Sequence, residues 1–145
     1  MPPLEFSRRR AVTAAAAFAA SSALGQVTNA SKGMHPDSKW YTRAKEMKDL
    51  AESWGDQSYG AVVVMNDQAI GLGPSRVVKD RDPDAHAERV AIREAQRALG
   101  KQALEGAVLY STSRPCSICE SAAARTGISR MYFGSPLTDA GRPRL

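Results

Sequence analysis

The feature that most constrains this chain is a set of four chemically able side chains placed far apart in sequence. His86-Ala87-Glu88 and Pro115-Cys116-Ser117-Ile118-Cys119 each stand at the start of a helical pattern, with a strand-like run between them. If these side chains are to meet, the fold must bring two helix starts to one point. Cys116 and Cys119 are three apart, so at a helix start both thiols face one way, and the positive helix end favours their thiolate forms. Pro115 just before them fits helix initiation. His86 and Glu88 are two apart, which in mid-helix would turn them in different directions; at a helix N-terminus that ends on a pocket, both reach the same site. The chain has two cysteines in all. That is too few for a disulfide scaffold, and the spacing suits either a metal or a redox pair. With His86 the donors make a three-ligand nitrogen and sulfur set of the kind that holds catalytic zinc with one position open to water, and Glu88 is then the candidate base. His35 lies outside this pattern.

Around these residues the pattern alternates between helix and strand. Trp40, Ala44, Met47, Ala51 and Trp54 recur at steps of three and four, forming an apolar stripe on a first helix that begins near Pro36 and stops at Gly55. The two tryptophans read as core. Gly60 to Met65 and Ala69 to Gly73 read as a hairpin around Asn66-Asp67, and Pro74 to Asp84 reads as a polar loop. A second helix is expected from about Ala85 to Leu99, with Asp84 as N-cap, Gly100 past its end, and Val90, Ala91, Ala95 and Leu99 on its buried face. Ala107 to Tyr110 fits a third strand, Cys116 to about Thr126 a third helix, and Arg130 to Phe133 a fourth strand parallel to the third. A hairpin plus a parallel crossover implies a mixed sheet covered on both faces, a three-layer α/β/α sandwich.

Composition matters mainly at the N-terminus. Ser7-Arg8-Arg9-Arg10 precede a small, apolar, alanine-rich run that is too short to span a bilayer. Residues 1–30 resemble a twin-arginine export signal, with residues 31–145 as the mature domain, placed in the periplasm or outside the cell; a cytoplasmic location is the alternative. The full chain carries a formal charge of +5; Arg8, Arg9, Arg10 and Glu5 contribute +2 of it, which leaves +3 for the rest. Mild positive charge attracts any anion without selecting one, so it argues weakly for nucleic acid.

The order His-x-Glu followed by Pro-Cys-x-x-Cys resembles the zinc deaminase signature of the cytidine deaminase superfamily. Asp82-Pro83-Asp84-Ala85-His86-Ala87-Glu88, Gly60 to Val64 and Ala91-Ile92-Arg93 are similar to the branch containing guanine deaminases and tRNA adenosine deaminases, and the likeness runs over roughly residues 37–140. The resemblance implies zinc on His86, Cys116 and Cys119, with Glu88 moving protons from water to the ring nitrogen and the leaving amine. It also places the Ala87 and Cys116 amides and the Ser75 hydroxyl at the substrate, Ser75 standing where the branch has asparagine. Relatives of this kind continue past the fourth strand, so the chain is expected to lack their C-terminal fifth strand and to cover the open edge as a homodimer. The function implied is hydrolytic deamination of a free nucleobase or nucleoside of guanine or cytosine type. An exported chain would not meet tRNA, so nucleic acid is not the expected partner; a tRNA adenosine deaminase and a non-catalytic zinc-stabilised binding module are the alternatives.

Overall fold

The computed structural model describes residues 36–145, so the leader read from residues 1–30 lies outside the described residues. The elements follow in the order α1 (Ser38–Ser53), β1 (Gly60–Met65), β2 (Gln68–Pro74), α2 (Ala87–Leu99), β3 (Val108–Ser111), α3 (Ser117–Thr126), β4 (Arg130–Phe133) and β5 (Thr138–Gly141). The strands form one mixed sheet in the order β2-β1-β3-β4-β5. β1 pairs antiparallel with both β2 and β3, whereas β3 and β4 are parallel through α3.

Strand alternation divides the core into two layers, because successive side chains leave a strand on opposite faces. Ala61, Val63, Leu109 and Met131 pack with Ala87, Ala91, Ile92, Ala95 and Ala123 from α2 and α3. Val62, Val64, Val108, Tyr110 and Tyr132 pack with Ala44 and Trp40 of α1. The α/β/α sandwich expected from the pattern is therefore formed, and the stacked rings of Tyr110 and Tyr132 thicken its α1 side. Asn66 and Asp67 both have positive φ, 50° and 57°, the backbone of a two-residue type I′ hairpin turn.

Several local expectations change. The N-cap of α2 is His86, not Asp84, since Ala85 N–H donates to Asp82 O in the preceding turn and Asp84 instead faces Arg89 at 3.2 Å. On α2 it is Ile92 that is buried beside Ala91 and Ala95, while Leu99 is exposed and Val90 is half-buried. The fifth strand, expected to be missing, is present: Thr138 pairs with Phe133 and Asp139 with Tyr132, antiparallel. Its residues show no apolar alternation; Arg130 reaches Asp139 across the pair at 2.6 and 3.0 Å. β4 is thus covered by the chain itself, which removes the open-edge argument for a homodimer. Among the described residues no helix is long and apolar enough to cross a membrane.

The small residues of β2 set how closely α2 approaches the sheet. A Cβ added at Gly73 would collide with the Ala87 carbonyl oxygen, and one added at Gly71 with the Ala91 carbonyl oxygen. These carbonyls belong to the helix backbone and cannot swing aside. Gly73→Ala is expected to push the start of α2 outward and to cost about 1–3 kcal/mol of stability. Urea unfolding measures this; an unchanged midpoint would mean that α2 does not rest on β2.

Candidate active site

Two helix starts meet at one end of the sheet. His86 is the N-cap of α2 and Cys116 the N-cap of α3, both with extended backbone, φ −62° and −71°, and neither side chain caps its own helix. A polar side chain at an N-cap ordinarily accepts from the first turn; here both point elsewhere. His86 Nδ1 lies 3.7 Å from Cys116 Sγ and 3.5 Å from Cys119 Sγ. The three donor atoms all fall within 4.8 Å of one another. Zinc–nitrogen and zinc–sulfur bonds of about 2.05 and 2.3 Å in a tetrahedron place nitrogen and sulfur about 3.6 Å apart. The donor set fits zinc, and its two nitrogen–sulfur separations are those of ligands around one ion.

The two thiols differ. Cys116 is exposed and Cys119 is buried. Burial pushes the Cys119 thiol far up, and the Glu88 carboxylate adds to this. The helix start alone was expected to favour thiolates; for Cys119 desolvation outweighs it, and a cation on the sulfur is what restores the ionised form.

Glu88 sits two residues into the same helix start, 5% exposed. Ser111, the last residue of β3 and 1% exposed, donates its hydroxyl to Glu88 Oε1 at 2.6 Å. This bond fixes one carboxylate oxygen and with it the rotamer. Sequence reading missed Ser111, because a serine ending an apolar strand carries no motif of its own; its place opposite the α2 start is set only by sheet packing.

The cleft above these groups has a volume of about 830 Å³ and is lined by Gln57, Ser58, Tyr59, His86, Ala87, Glu88, Ser113, Arg114 and Cys116. Ala87 lines this cleft at the start of α2. Ser75 does not: it has no exposed surface, and its hydroxyl donates to Asp56 Oδ1 at 2.9 Å. Asp56 also accepts the Val78 and Lys79 amides at 2.9 and 2.7 Å, fastening the loop after β2 to the segment that leads into the cleft wall. Burial would raise the Asp56 carboxyl, but the N–H donors of Lys79 and Gln57 and the Ser75 hydroxyl hold it below its ordinary value. Ser75 thus braces a loop, and its hydroxyl is committed before any substrate arrives.

The family described as the cytidine and deoxycytidylate deaminase zinc-binding region matches residues 34–135. A tRNA-specific adenosine deaminase of Buchnera aphidicola is 36% identical over 103 residues, which are 71% of this chain and 68% of that protein. One from Bacillus subtilis is 34% identical over 102 residues, 70% of this chain and 63% of that protein. Among solved structures, one from work on A-to-I editing by tRNA deaminases at the wobble position superposes with a TM-score of 0.66 at 34% identity, covering 68% of this chain and 71% of that one. A guanine deaminase from Bacillus subtilis superposes with a TM-score of 0.65 at 29% identity, covering 69% and 64%.

These relatives overturn the expectation that nucleic acid is not the partner, since proteins this similar are tRNA-specific. The expectation rested on export read from residues 1–30, which lie outside the described residues; the weak net charge did not weigh against it, because a net sum says nothing about where cations sit, and Arg114 stands on the cleft wall itself. The purified protein is expected to hold one zinc per chain, to lose it in His86→Ala, Cys116→Ala and Cys119→Ala, and to keep it in Glu88→Gln. Elemental analysis checks this, and zinc loss in Glu88→Gln would make the carboxylate a ligand.

Proposed function

The chain belongs to the cytidine and deoxycytidylate deaminase family, and on that premise we propose that it is a hydrolytic deaminase converting adenosine to inosine within a tRNA-type RNA. The observation that carries the chemistry is the convergence of His86, Cys116 and Cys119 beside a buried carboxylate held by Ser111. The observation that favours RNA over a free base is similarity to tRNA-specific relatives at 34–36% identity. A free-base reading of guanine type draws support from the 29% identical guanine deaminase structure.

Zinc held by His86, Cys116 and Cys119 supplies a Lewis acid that brings the ionisation of water towards neutral pH. Glu88 takes a proton from the attacking water as its oxygen bonds to the ring carbon bearing the amino group, and passes that proton to the adjacent ring nitrogen. It then moves the second water proton to the amine, so that the carbon–nitrogen bond breaks and ammonia leaves. One water is consumed and one ammonia released. The Ala87 and Cys116 amides, at two helix starts, face developing negative charge with their N–H groups. Burial of Glu88 serves this role, because a carboxylate shielded from bulk water exchanges protons with the reacting atoms and not with solvent. Ser111 acts through Glu88 as a positioning residue: with Oε1 occupied, the carboxylate cannot rotate away from the cleft.

Ammonia release is measured on a panel of RNA stem-loops, nucleosides and free bases. Turnover of loop adenosine to inosine is the expected result; turnover of guanine alone would move the reading to the free-base class, and no turnover by zinc-loaded protein would reject the deaminase. Glu88→Gln should lower kcat by about 10²–10⁴-fold, the usual weight of a positioned acid–base group. Ser111→Thr and Ser111→Val share one shape and differ in the hydroxyl. Thr is expected to retain kcat and Val to lose about tenfold with KM little changed, a loss of about 1.4 kcal/mol in the transition state. Equal kcat in the two variants would reduce Ser111 to packing.

A further inference from the structure

Many cations on this surface, though not all, are locally neutralised. Lys39, Arg43, Lys45 and Lys48 on α1 each bridge a carboxylate, as do Arg76, Arg89, Arg93 and Arg130 elsewhere. Such pairs are screened and weak, but each leaves little net field. Lys79, Arg81, Arg97, Lys101 and Arg125 also have no such bridge among the described residues, but none of them lines the cleft, and the start of α3 differs in that respect. Arg114 lines the cleft and is exposed, with its guanidinium 5.8 Å from the Phe133 ring centroid and no carboxylate within ion-pair distance among the described residues.

The segment after β5 brings further charge to the same helix start. Arg142 and Arg144 are exposed on either side of the buried Pro143, and neither has an ion-pair partner among the described residues. Arg144 N–H donates to Glu120 Oε1 at 3.2 Å. Glu120 N–H in turn donates to Cys116 O at 2.9 Å, which puts that contact one turn into α3 from the cleft. Glu120 is the acidic group beside this cluster, and the bond to the Arg144 amide occupies one of its oxygens. Buried Pro143 and the Arg144 amide hold the segment in place while both guanidinium groups stay in solvent. A cleft with Arg114 on its wall, and two further exposed arginines on the segment held against α3, matches a polyanion whose base enters the cleft and whose backbone stays outside it. Guanidinium suits phosphate, since its planar fork donates two parallel hydrogen bonds to two phosphate oxygens.

We propose that Arg114, Arg142 and Arg144 form an RNA-backbone docking edge that takes the phosphates flanking the nucleotide in the cleft. This rests on the tRNA-type reading above. It adds the surface by which a polymer is told from a free base, because a free base has no phosphate to offer.

The test is fluorescence anisotropy of a labelled RNA stem-loop with the zinc-loaded full chain, between about 50 and 200 mM salt. Replacing Arg114, Arg142 and Arg144 together by Gln is expected to raise Kd at least tenfold. It should also make the salt dependence shallower by about 2 in log–log slope, since each lost phosphate contact removes about 0.7 for single-stranded RNA. Replacing Arg43, Lys45 and Lys48 by Gln removes the same charge from α1 and should shift Kd less than threefold. Equal weakening by both sets, or no weakening by the first, overturns the docking edge. If the triple variant loses zinc, the single Arg114→Gln and Arg144→Gln variants replace it, each expected to weaken binding about threefold; unchanged Kd in both overturns the proposal. RNA turnover with unaltered binding in the variants rejects the docking edge alone. RNA binding lost in the variants, without turnover by the parent chain, rejects the deaminase reading and leaves the edge standing.

Discussion

The convergence of the α2 and α3 starts organises the rest of this domain. The histidine at one helix start lies 3.7 and 3.5 Å from the two cysteines of another only because each helix begins where a strand or loop delivers it to the same end of the sheet. α3 follows β3 after a short loop, and β3 lies beside β1, whose hairpin partner β2 carries α2 on glycines. Without the close seat at Gly71 and Gly73, α2 would stand farther from the sheet and its first turn would no longer face the α3 start. The bareness of β2 is therefore part of the site, although no glycine touches it.

Burial and ionisation are opposed at the Cys119 thiol. Cys119 and Glu88 are both withdrawn from solvent, and burial, with the Glu88 carboxylate adding to it, pushes the Cys119 thiol up. A lone buried thiol in such surroundings stays protonated, whereas a dication among the three donors offsets both penalties at once. Glu88 is further anchored by Ser111 and so stays beside the donors without joining them. Loop fastening follows a similar logic on the other side of the cleft. Asp56 gathers N–H donors from the loop after β2 together with the Ser75 hydroxyl, so the wall at Gln57 to Tyr59 is built on a carboxylate whose charge is spent internally.

Much of this was readable in advance where periodicity or motif spoke for itself. The α1 stripe, the Asn66-Asp67 turn, the glycine ends of helices and the parallel crossover from β3 to β4 each followed from local rules, and the structure places them within a residue or two. β5 was not readable, because Thr138-Asp139-Ala140-Gly141 is joined to β4 by backbone pairing and the Arg130–Asp139 contact, neither of which leaves an apolar signature. Ser75 was misread for a related reason. Alignment with an asparagine suggested a substrate contact, but the buried serine hydroxyl in that position donates to Asp56. The partner was misjudged on an export signal read from residues 1–30, with a weak net charge giving no reason to reconsider, whereas the similar relatives are tRNA-specific.

The sequence alone determined the donor set: His86, Cys116 and Cys119 at helix starts suit zinc, with the Glu88 carboxylate beside them, because ligand type and helical spacing are local properties. Tertiary structure decided everything that depends on groups distant in the chain. It set the 2.6 Å bond that gives Glu88 its orientation, sent Ser75 into the interior, covered β4 with β5 and held the Arg144 backbone against Glu120 of α3. Those are outcomes of packing, in which the nearest partner is chosen by the sheet and not by the order of residues.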